Sequence, residues 1–321
     1  MAPGFRRRTL LGAGLAATVA GGLTARTAHA TSSGHISEPT IYGTAEWGAR
    51  PPREKIVVLD NPPTYITVHH TVEPGNSDDM SVEHAFEISR AMQNYHMDSR
   101  GWIDTGQQFT ISRGGHITEG RHRSLEILRE GSRHVEGTNV ADFNSRVIGI
   151  ENEGLYTAED VPLTLWDSLA DLVTYMAYQY NVPPQRIMGH RDFGSTQCPG
   201  DVLYKRLAEL RGTVAQRLGT PLPPSLPEWP LLRPGDTGDR VLLAQRLLRQ
   251  RGARVPTDGV FGPATREAVA DIAASHGLDT PSCAACAHVD ERGFLGADIW
   301  PLLLGPERSR SEWQRRLAVL R

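Results

Sequence analysis

Residues 189–200, which read GHRDFGSTQCPG, constrain this chain more than any other stretch. They place His190 and Cys198 at the two ends of a short loop, and imidazole and thiolate are both zinc ligands. The residues just before the loop, 186–188, predict a short strand, so that His190 would stand where the strand ends. Two residues at one spacing are equally compatible with a surface histidine and a buried free cysteine. A third ligand is needed to choose between these interpretations.

The segment after Cys198 predicts a helix that begins at Pro199, because proline suits the first helical position. Apolar residues follow at helical spacing, namely Val202, Leu203, Leu207 and Leu210. A helix N-terminus favours negative charge and would lower the pKa of the Cys198 thiol. The pattern therefore predicts a thiolate, which is the form of cysteine that binds a metal.

A second strand supplies the third candidate ligand. Residues 65–71 read YITVHHT, a β-branched run that predicts a strand. Alternation places His70 on the more apolar face, where it would pack in the core, and His69 on the opposite face. Two histidines and one cysteine leave a fourth zinc position free, which is the arrangement of a catalytic site. We therefore predict that His69, His190 and Cys198 bind a zinc ion.

Six segments, taken in order, resemble the zinc-dependent N-acetylmuramoyl-L-alanine amidases, a family that includes phage amidase lysozymes and peptidoglycan recognition proteins. The segments are WGARPP (47–52), ITVHHT (66–71), GWIDTGQQF (101–109), RHVEGTN (133–139), VIGIENEG (147–154) and GHRDFGSTQCPG (189–200). The resemblance covers about residues 40–215. It implies an α/β fold with a central mixed β-sheet flanked by helices, and hydrolysis of the amide between N-acetylmuramic acid and L-alanine in peptidoglycan.

The same resemblance implies roles for further residues. Glu151 matches the carboxylate that carries protons in the intracellular and outer-membrane members. Thr196 matches a position that is Lys or Thr in the family, and it would hydrogen-bond the attacking water or the oxyanion. His134 and Asn139 match a histidine and an asparagine that lie beside the zinc and touch substrate.

One position departs from the family pattern. Gln107 stands where a tyrosine beside the zinc is usual, and glutamine cannot act as an acid or base near neutral pH. Proton transfer therefore falls to Glu151, and Gln107 is expected to orient the substrate. Glu153 shares a face of the predicted strand 147–153 with Glu151, and we expect it to be an ion-paired neighbour.

The chain divides into five predicted parts. They are a twin-arginine signal peptide (1–30), the zinc amidase domain (40–217), a proline-rich linker (218–230), a peptidoglycan-binding-like helical module (231–304) and a charged tail (305–321). Arg7-Arg8, a short Gly/Ala-rich run and an A-x-A cleavage pattern indicate the signal peptide. A membrane anchor is the alternative, but the apolar run is too short for it, so we predict a secreted, wall-associated protein.

Residues 231–304 resemble the small all-α, three-helix module that many wall hydrolases carry. The match is good through residue 270 and poorer after it, where residues 279–291 look inserted. Such a module, tethered by a linker, would raise the concentration of the enzyme at the wall. We therefore expect a chain that ends near Ser225 to remain active on soluble fragments.

Cys283 and Cys286 lie within the inserted segment, close to His276 and His288. Outside the cell a local disulfide is favoured, and a small zinc site is the alternative. The sequence leaves both readings open.

Charge limits the partners of the chain. The signal peptide carries four arginines and no acids, so its removal leaves 30 basic residues against 37 acidic ones and changes the net charge from −3 to −7. This balance argues against nucleic acid and anionic membranes, and the predicted partner is peptidoglycan. A non-catalytic recognition protein and a zinc peptidase acting on stem peptides are the alternative functions. Cys198 favours an enzyme, because members that lose the metal typically replace this cysteine.

Overall fold

The computed structural model describes residues 36–221, 224, 228–278 and 290–305. The predicted signal peptide, the predicted tail beyond residue 305 and the pair Cys283 and Cys286 lie outside these ranges. The described residues belong to one compact unit, Ser33–Arg321. No helix within the described ranges is both long and apolar enough to cross a membrane.

The described residues contain eight strands and seven α-helices. The strands are β1 Ile41–Tyr42, β2 Val58–Leu59, β3 Tyr65–His70, β4 Phe109–Ile111, β5 Ile117–Glu119, β6 His134–Val135, β7 Val147–Asn152 and β8 Ile187–Gly189. The helices are α1 Val82–Asn94, α2 Ser124–Glu130, α3 Leu163–Tyr180, α4 Asp201–Arg217, α5 Asp239–Gln250, α6 Pro263–Ser275 and α7 Trp300–Leu304. A π-helical turn, Tyr95–Ser99, extends α1.

Six of the strands form a mixed sheet in the order β1-β5-β4-β7-β3-β8. Strand β3 pairs in parallel with β7 and β8, while β4 and β5 form an antiparallel hairpin. Helix α3 packs against β3 and β4, and α4 packs against β8. Strands β2 and β6 form a separate antiparallel pair. The predicted α/β fold, a central mixed sheet flanked by helices, is confirmed.

The main hydrophobic core lies against one face of the sheet. Ile66 and Val68 of β3 are fully buried there, together with Ile150 of β7 and Leu169 of α3. Each such side chain contributes about 1.5–3 kcal/mol when it leaves water. His70 shares the face of Ile66 and Val68 in the pleat and is buried, as the alternation predicts.

Helix α3 carries a stripe of apolar residues that packs in the main core. It ends at Tyr180, and Asn181 follows it with φ 52° in the left-handed conformation that closes many helices. Pro183 lies two residues further on and cannot continue the helix.

Helix α4 begins later than the sequence predicts. Its first residue is Asp201, and the residue before it, Gly200, has φ 93°, which is incompatible with a right-handed helix. A Cβ atom on Gly200 would lie 2.3 Å from the backbone carbonyl of Tyr156, so only glycine fits there. The prediction that the helix begins at Pro199 is therefore wrong. Cys198 lies three residues before the helix, where the helix dipole acts on its thiol more weakly than predicted.

The C-terminal region has a hydrophobic core of its own, built from helices α5, α6 and α7 and the segments between them. Its fully buried members include Ala244, Leu248, Val269, Leu295 and Trp300. Helix α6 begins at Pro263, and proline suits the first helical position. The boundaries of the predicted domains remain predictions.

A buried carboxylate, Asp104, organises the segment between α1 and β4. It accepts hydrogen bonds from Gln93 Nε2, from the His122 backbone N–H and from His122 Nδ1, at 2.8, 2.9 and 2.8 Å. Burial raises the pKa of Asp104, but the hydrogen bonds from His122 and Gln93 outweigh it, and the net pKa lies below the ordinary 3.8. The hydrogen bond to Asp104 raises the pKa of His122 above 6.5.

The Asp104–His122 pair gives a stability prediction for His122→Gln. A histidine with a raised pKa stabilises the fold fully below its ordinary pKa and loses this effect as pH rises through the raised value. Asp104, with a lowered pKa, stabilises above its ordinary pKa and loses this effect in acid. The loss of unfolding free energy should be about 1.5–3 kcal/mol near pH 5.5 and smaller near pH 9.

Urea unfolding of both proteins at the two pH values measures this difference. His116→Gln is the matched control, because the His116 ring contacts the backbone carbonyl of Met80 rather than a carboxylate. A loss that is the same at pH 5.5 and pH 9 would contradict the ionic role of the pair.

Candidate metal centre

Strand β3, the turn after β8 and the loop before α4 bring three side chains together. The ligand atoms of His69, His190 and Cys198 all lie within 4.8 Å of one another. The two imidazole rings are 4.6 Å apart between centroids, and Cys198 Sγ lies 3.7 Å from His69 Nδ1. All three side chains are buried. The structure therefore gathers the three ligands that the sequence predicts.

The register of the parallel sheet explains this arrangement. Val68 of β3 pairs with Gly189 of β8. His69 and His190 are the next residues along these two neighbouring strands, so they lie side by side. Cys198 returns to the same place because its carbonyl accepts a hydrogen bond of 3.0 Å from the Arg191 backbone N–H. This hydrogen bond joins the two ends of the loop between His190 and Cys198.

The donor set fits a zinc ion. Two imidazoles and one thiolate are zinc ligands, and three protein ligands leave a position for water or substrate. Nδ1 of His190 is buried and makes no hydrogen bond within the described part of the chain. A buried polar atom without a hydrogen bond is costly, and a bond between this atom and a metal ion would offset that cost.

Glu151 lies beside this cluster. It pairs with His69 in the register of β3 and β7, and paired residues of parallel strands project from the same face of a sheet. Glu151 is fully buried. Because an ionised carboxylate is costly to bury, its place next to three metal-ligating side chains is typical of a functional site.

Glu153 has partners of a different kind. One carboxylate oxygen lies 2.8 Å from His84 Nε2, and the other accepts a 2.8 Å hydrogen bond from the Arg113 backbone N–H. Its side chain is fully buried. These contacts agree with the expectation of a structural, ion-paired neighbour.

His134 lies outside the metal cluster, in β6. Its Nδ1 is 2.6 Å from the carbonyl oxygen of Asn61, which can only accept, so Nδ1 carries a proton. Burial lowers the pKa of His134 and favours the neutral ring. Nε2 is then an acceptor, and it is buried with no hydrogen bond among the described residues.

Asn139 and Gln107 also present buried acceptors. Asn139 Nδ2 donates to Gly106 O and to Gln108 Oε1, at 3.3 and 3.2 Å. Asn139 Oδ1 and Gln107 Oε1 make no hydrogen bonds within the ranges that the structure describes. His134 and Asn139 therefore each make hydrogen bonds within the described fold through one side-chain atom, while a second polar atom of each makes none there.

Thr196 is joined to a residue that the sequence analysis missed. Its hydroxyl donates to Glu291 Oε1 at 2.9 Å and accepts from the Cys198 backbone N–H at 3.1 Å. Glu291 belongs to the C-terminal region and lies at the end of the segment that departs from the module pattern. The only signal in the sequence was an acid in that unusual segment. A chain that ends near Ser225 would lack Glu291 and its contact with Thr196, so the activity of such a chain on soluble fragments stays a prediction.

A cavity of about 570 Å³ extends from the end of β3 along α1. Thr71, two residues after His69, lies at one end, and His84, Tyr95 and His96 line its wall. Its size is that of a small-ligand site. Most of the surface that lines the cavity is apolar. Glu87 of α1 adds an exposed carboxylate to it.

Comparisons with known proteins agree on the two regions. Residues 59–201 match the family described as N-acetylmuramoyl-L-alanine amidase, and residues 237–280 match one described as a putative peptidoglycan binding domain. The pig N-acetylmuramoyl-L-alanine amidase is 31% identical over 171 residues, which are 53% of this chain and 27% of that protein. The chain thus spans about a quarter of the length of that relative.

Shorter relatives are covered more fully. Peptidoglycan-recognition protein SC2 of Drosophila melanogaster is 30% identical over 169 residues, which are 52% of this chain and 84% of that protein. The structure of Drosophila PGRP-LB is 26% identical, with a TM-score of 0.46, and the match covers 53% of this chain and 92% of that one.

Cys198→Ser tests the metal cluster. A neutral hydroxyl is a poor zinc ligand, so the dissociation constant for zinc should rise by more than about 100-fold, since even changes to residues behind the ligands cost 10–100-fold. Competition with a chromogenic chelator measures the constant. His69→Ala and His190→Ala should lose zinc as well, whereas His70→Ala, on the core face of β3, should retain it. Full zinc affinity in Cys198→Ser would remove Cys198 from the ligand set.

Proposed function

We propose that this chain, which belongs to the N-acetylmuramoyl-L-alanine amidase and peptidoglycan recognition protein family, is a zinc-dependent amidase. Its substrate is peptidoglycan, and the bond cleaved is the amide between N-acetylmuramic acid and L-alanine. The observation that carries the proposal is the cluster of His69, His190 and Cys198 with Glu151 at the neighbouring register position. Binding sites alone do not require a buried proton carrier beside three metal ligands.

His69, His190 and Cys198 would hold the zinc ion. When bound, zinc supplies Lewis acidity toward a carbonyl oxygen and toward water. The thiolate of Cys198 would cancel one of its two charges. The burial of the three side chains keeps bulk water away, so that charges in the site interact more strongly than they would in solvent.

Glu151 would move the proton. It takes a proton from the water that attacks the scissile carbonyl carbon, and it delivers this proton to the nitrogen of L-alanine as the carbon–nitrogen bond breaks. The products are a free muramic acid carboxyl group and a free amine on the peptide. Gln107, which replaces the usual tyrosine, cannot take over this role because an amide does not titrate near neutral pH.

The buried acceptors define what the substrate must offer. His134 Nε2, Asn139 Oδ1 and Gln107 Oε1 can each accept a hydrogen bond, and an N-acetylated sugar joined to a peptide carries amide N–H groups and hydroxyls that donate. We assign these three residues to substrate binding. Thr196 donates its one proton to Glu291, so we assign to it the position of the Cys198 loop rather than a donor to the oxyanion.

The 570 Å³ cavity along α1 is the proposed seat of the stem peptide. One of its lining residues, Thr71, is two residues after His69 in the chain, so a peptide whose first residue lies at the metal centre could extend into it. The second region, similar to a putative peptidoglycan binding domain, supports a role at the cell wall. Export by the twin-arginine route is part of the proposal and rests on the sequence of residues 1–30.

A recognition protein without catalysis is the second candidate, because close relatives carry that name. Cys198 argues for the enzyme, since a protein that only binds peptidoglycan needs no thiolate in a zinc-type cluster. A peptidase acting within the stem peptide would use the same groups on a different bond.

Mass spectrometry of the products from purified peptidoglycan separates the three functions. The amidase releases intact stem peptides that begin with a free L-alanine amine. A peptidase leaves L-alanine on the sugar, and a recognition protein releases nothing while still binding the wall. Either of the last two results, obtained with zinc-loaded protein, overturns the proposed reaction.

Glu151→Gln tests the proton carrier. The substitution keeps the size of the side chain and removes the base, so the hydrolysis rate should fall about 10²–10⁴-fold. The zinc content should stay at about one ion per chain. Glu153→Gln is the matched control, because Glu153 is equally buried but bonded to His84 and Arg113. It should cost far less activity. A fast Glu151→Gln enzyme, or a dead Glu153→Gln enzyme that has folded, would assign the role to the other carboxylate.

A further inference from the structure

Three consecutive residues of the loop that leads to Cys198 are held by the C-terminal region. Ser195 Oγ donates to Asp298 and accepts a 2.7 Å hydrogen bond from the Gly296 backbone N–H. Thr196 Oγ1 and the Gln197 backbone N–H both donate to one oxygen of Glu291, at 2.9 and 2.8 Å. The loop before the candidate ligand is thus fastened from outside its own domain.

The contacts with Glu291 form a direct path to Cys198. The Thr196 hydroxyl that donates to Glu291 also accepts the Cys198 backbone N–H, at 3.1 Å. Only two hydrogen bonds therefore separate the carboxylate from the backbone of a metal ligand. The Cys198 carbonyl is held on its other side by Arg191.

Glu291 is only 6% exposed, which is unusual for a residue on a small wall-binding module. A carboxylate buried at this level is costly unless hydrogen bonds compensate for the lost water, and hydrogen bonds to a charged acceptor are stronger than those between neutral groups. Here Thr196 Oγ1 and the Gln197 backbone N–H, both in the loop before Cys198, donate such hydrogen bonds to Glu291. A tethered module that moves freely would leave this carboxylate in solvent.

The backbones of the two regions also approach closely. A Cβ atom on Gly296 would lie 2.7 Å from Ser195 Cα and 2.8 Å from the Gly194 carbonyl oxygen, so only glycine permits this contact. Arg233, also in the C-terminal region, forms a 3.0 Å salt bridge with Asp201 at the start of α4. A cavity of about 190 Å³ between the regions is lined by His190 on one side and Asp298 on the other.

We propose that Glu291 is a positioning residue of the metal centre, which acts through Thr196 to fix the loop that carries Cys198. The C-terminal region is then a structural part of the enzyme as well as a candidate wall-binding module. The inference rests on the proposed function only in requiring that His69, His190 and Cys198 bind zinc. Such residues behind a ligand set its orientation, and their loss typically weakens metal binding 10–100-fold.

The first test compares zinc affinity among full-length variants by chelator competition. Glu291→Ala should raise the zinc dissociation constant about 10–100-fold. Glu291→Gln keeps an acceptor oxygen at the same place and should recover most of the affinity. Asp290→Ala is the matched control, because Asp290 is the preceding residue, is exposed and pairs with Arg266. It should bind zinc as the unaltered protein does.

A spectroscopic readout reports on Cys198 itself. In the cobalt-substituted protein, the near-ultraviolet charge-transfer absorption arises from the thiolate–cobalt bond. Glu291→Ala should weaken or shift this absorption at saturating cobalt, and Glu291→Gln should restore it. A residue that only stabilised the fold would lower the unfolding temperature without changing this absorption in the folded protein.

A double-mutant cycle with Thr196→Val tests the path. If Glu291 acts through Thr196, the two substitutions together should raise the dissociation constant by clearly less than the product of their separate effects. Independent, multiplying effects would contradict the proposed path. If Glu291→Ala does not fold, Thr196→Val alone still decides, since unchanged zinc affinity in that variant would break the link to Cys198.

The outcomes separate this inference from the proposed function. Unaltered protein that binds no zinc overturns the zinc enzyme. Unaltered protein that binds zinc, with folded Glu291→Ala binding it equally well and with the same cobalt absorption, overturns only the role of Glu291.

Discussion

The in-register pairing of β3 with β7 is the interaction on which the rest of the site depends. It places His69 beside Glu151, and the pairing of β3 with β8 then brings His190 to the same edge. The hydrophobic core holds this register, because Ile66 and Val68 are buried on the opposite face of β3. A slip of one residue would turn the apolar residues outward and present His70 in place of His69. The free energy that buries the core therefore also positions the candidate metal ligands.

Buried acids divide into two kinds in this molecule. Asp104 and Glu153 receive hydrogen bonds from histidines and backbone N–H groups, and they tie helix α1 and its neighbours to the sheet. Glu151 instead lies beside two histidines and a cysteine that can hold a metal. A structural carboxylate is stabilised by donors that the fold supplies, and under the proposed function Glu151 would also exchange a proton with water and substrate.

The hydrogen bonds between the C-terminal region and the loop before Cys198 change how the C-terminal region is understood. As a tethered module it would act by raising local concentration at the wall, with no effect on the chemistry. The structure instead joins it to the loop before Cys198 through Glu291, Asp298 and Gly296. With these contacts, the geometry of the Cys198 loop depends on residues almost one hundred positions away in the chain. Under the proposed role of Glu291, attachment to the wall and the geometry of the metal site share one interface.

The sequence by itself determined most of the elements and the candidate ligand set. Alternation in residues 65–71 identified the face of His69, because strand periodicity is a local property. The start of α4 escaped prediction, since the left-handed backbone of Gly200 is imposed by the close approach of Tyr156 rather than by its neighbours in the chain. Only the tertiary structure decided that Glu291 meets Thr196, because no local pattern encodes a contact between residues 95 positions apart. That contact depends on how the folded chain returns its C-terminal region to the Cys198 loop, which is a property of the whole tertiary structure and not of any local segment.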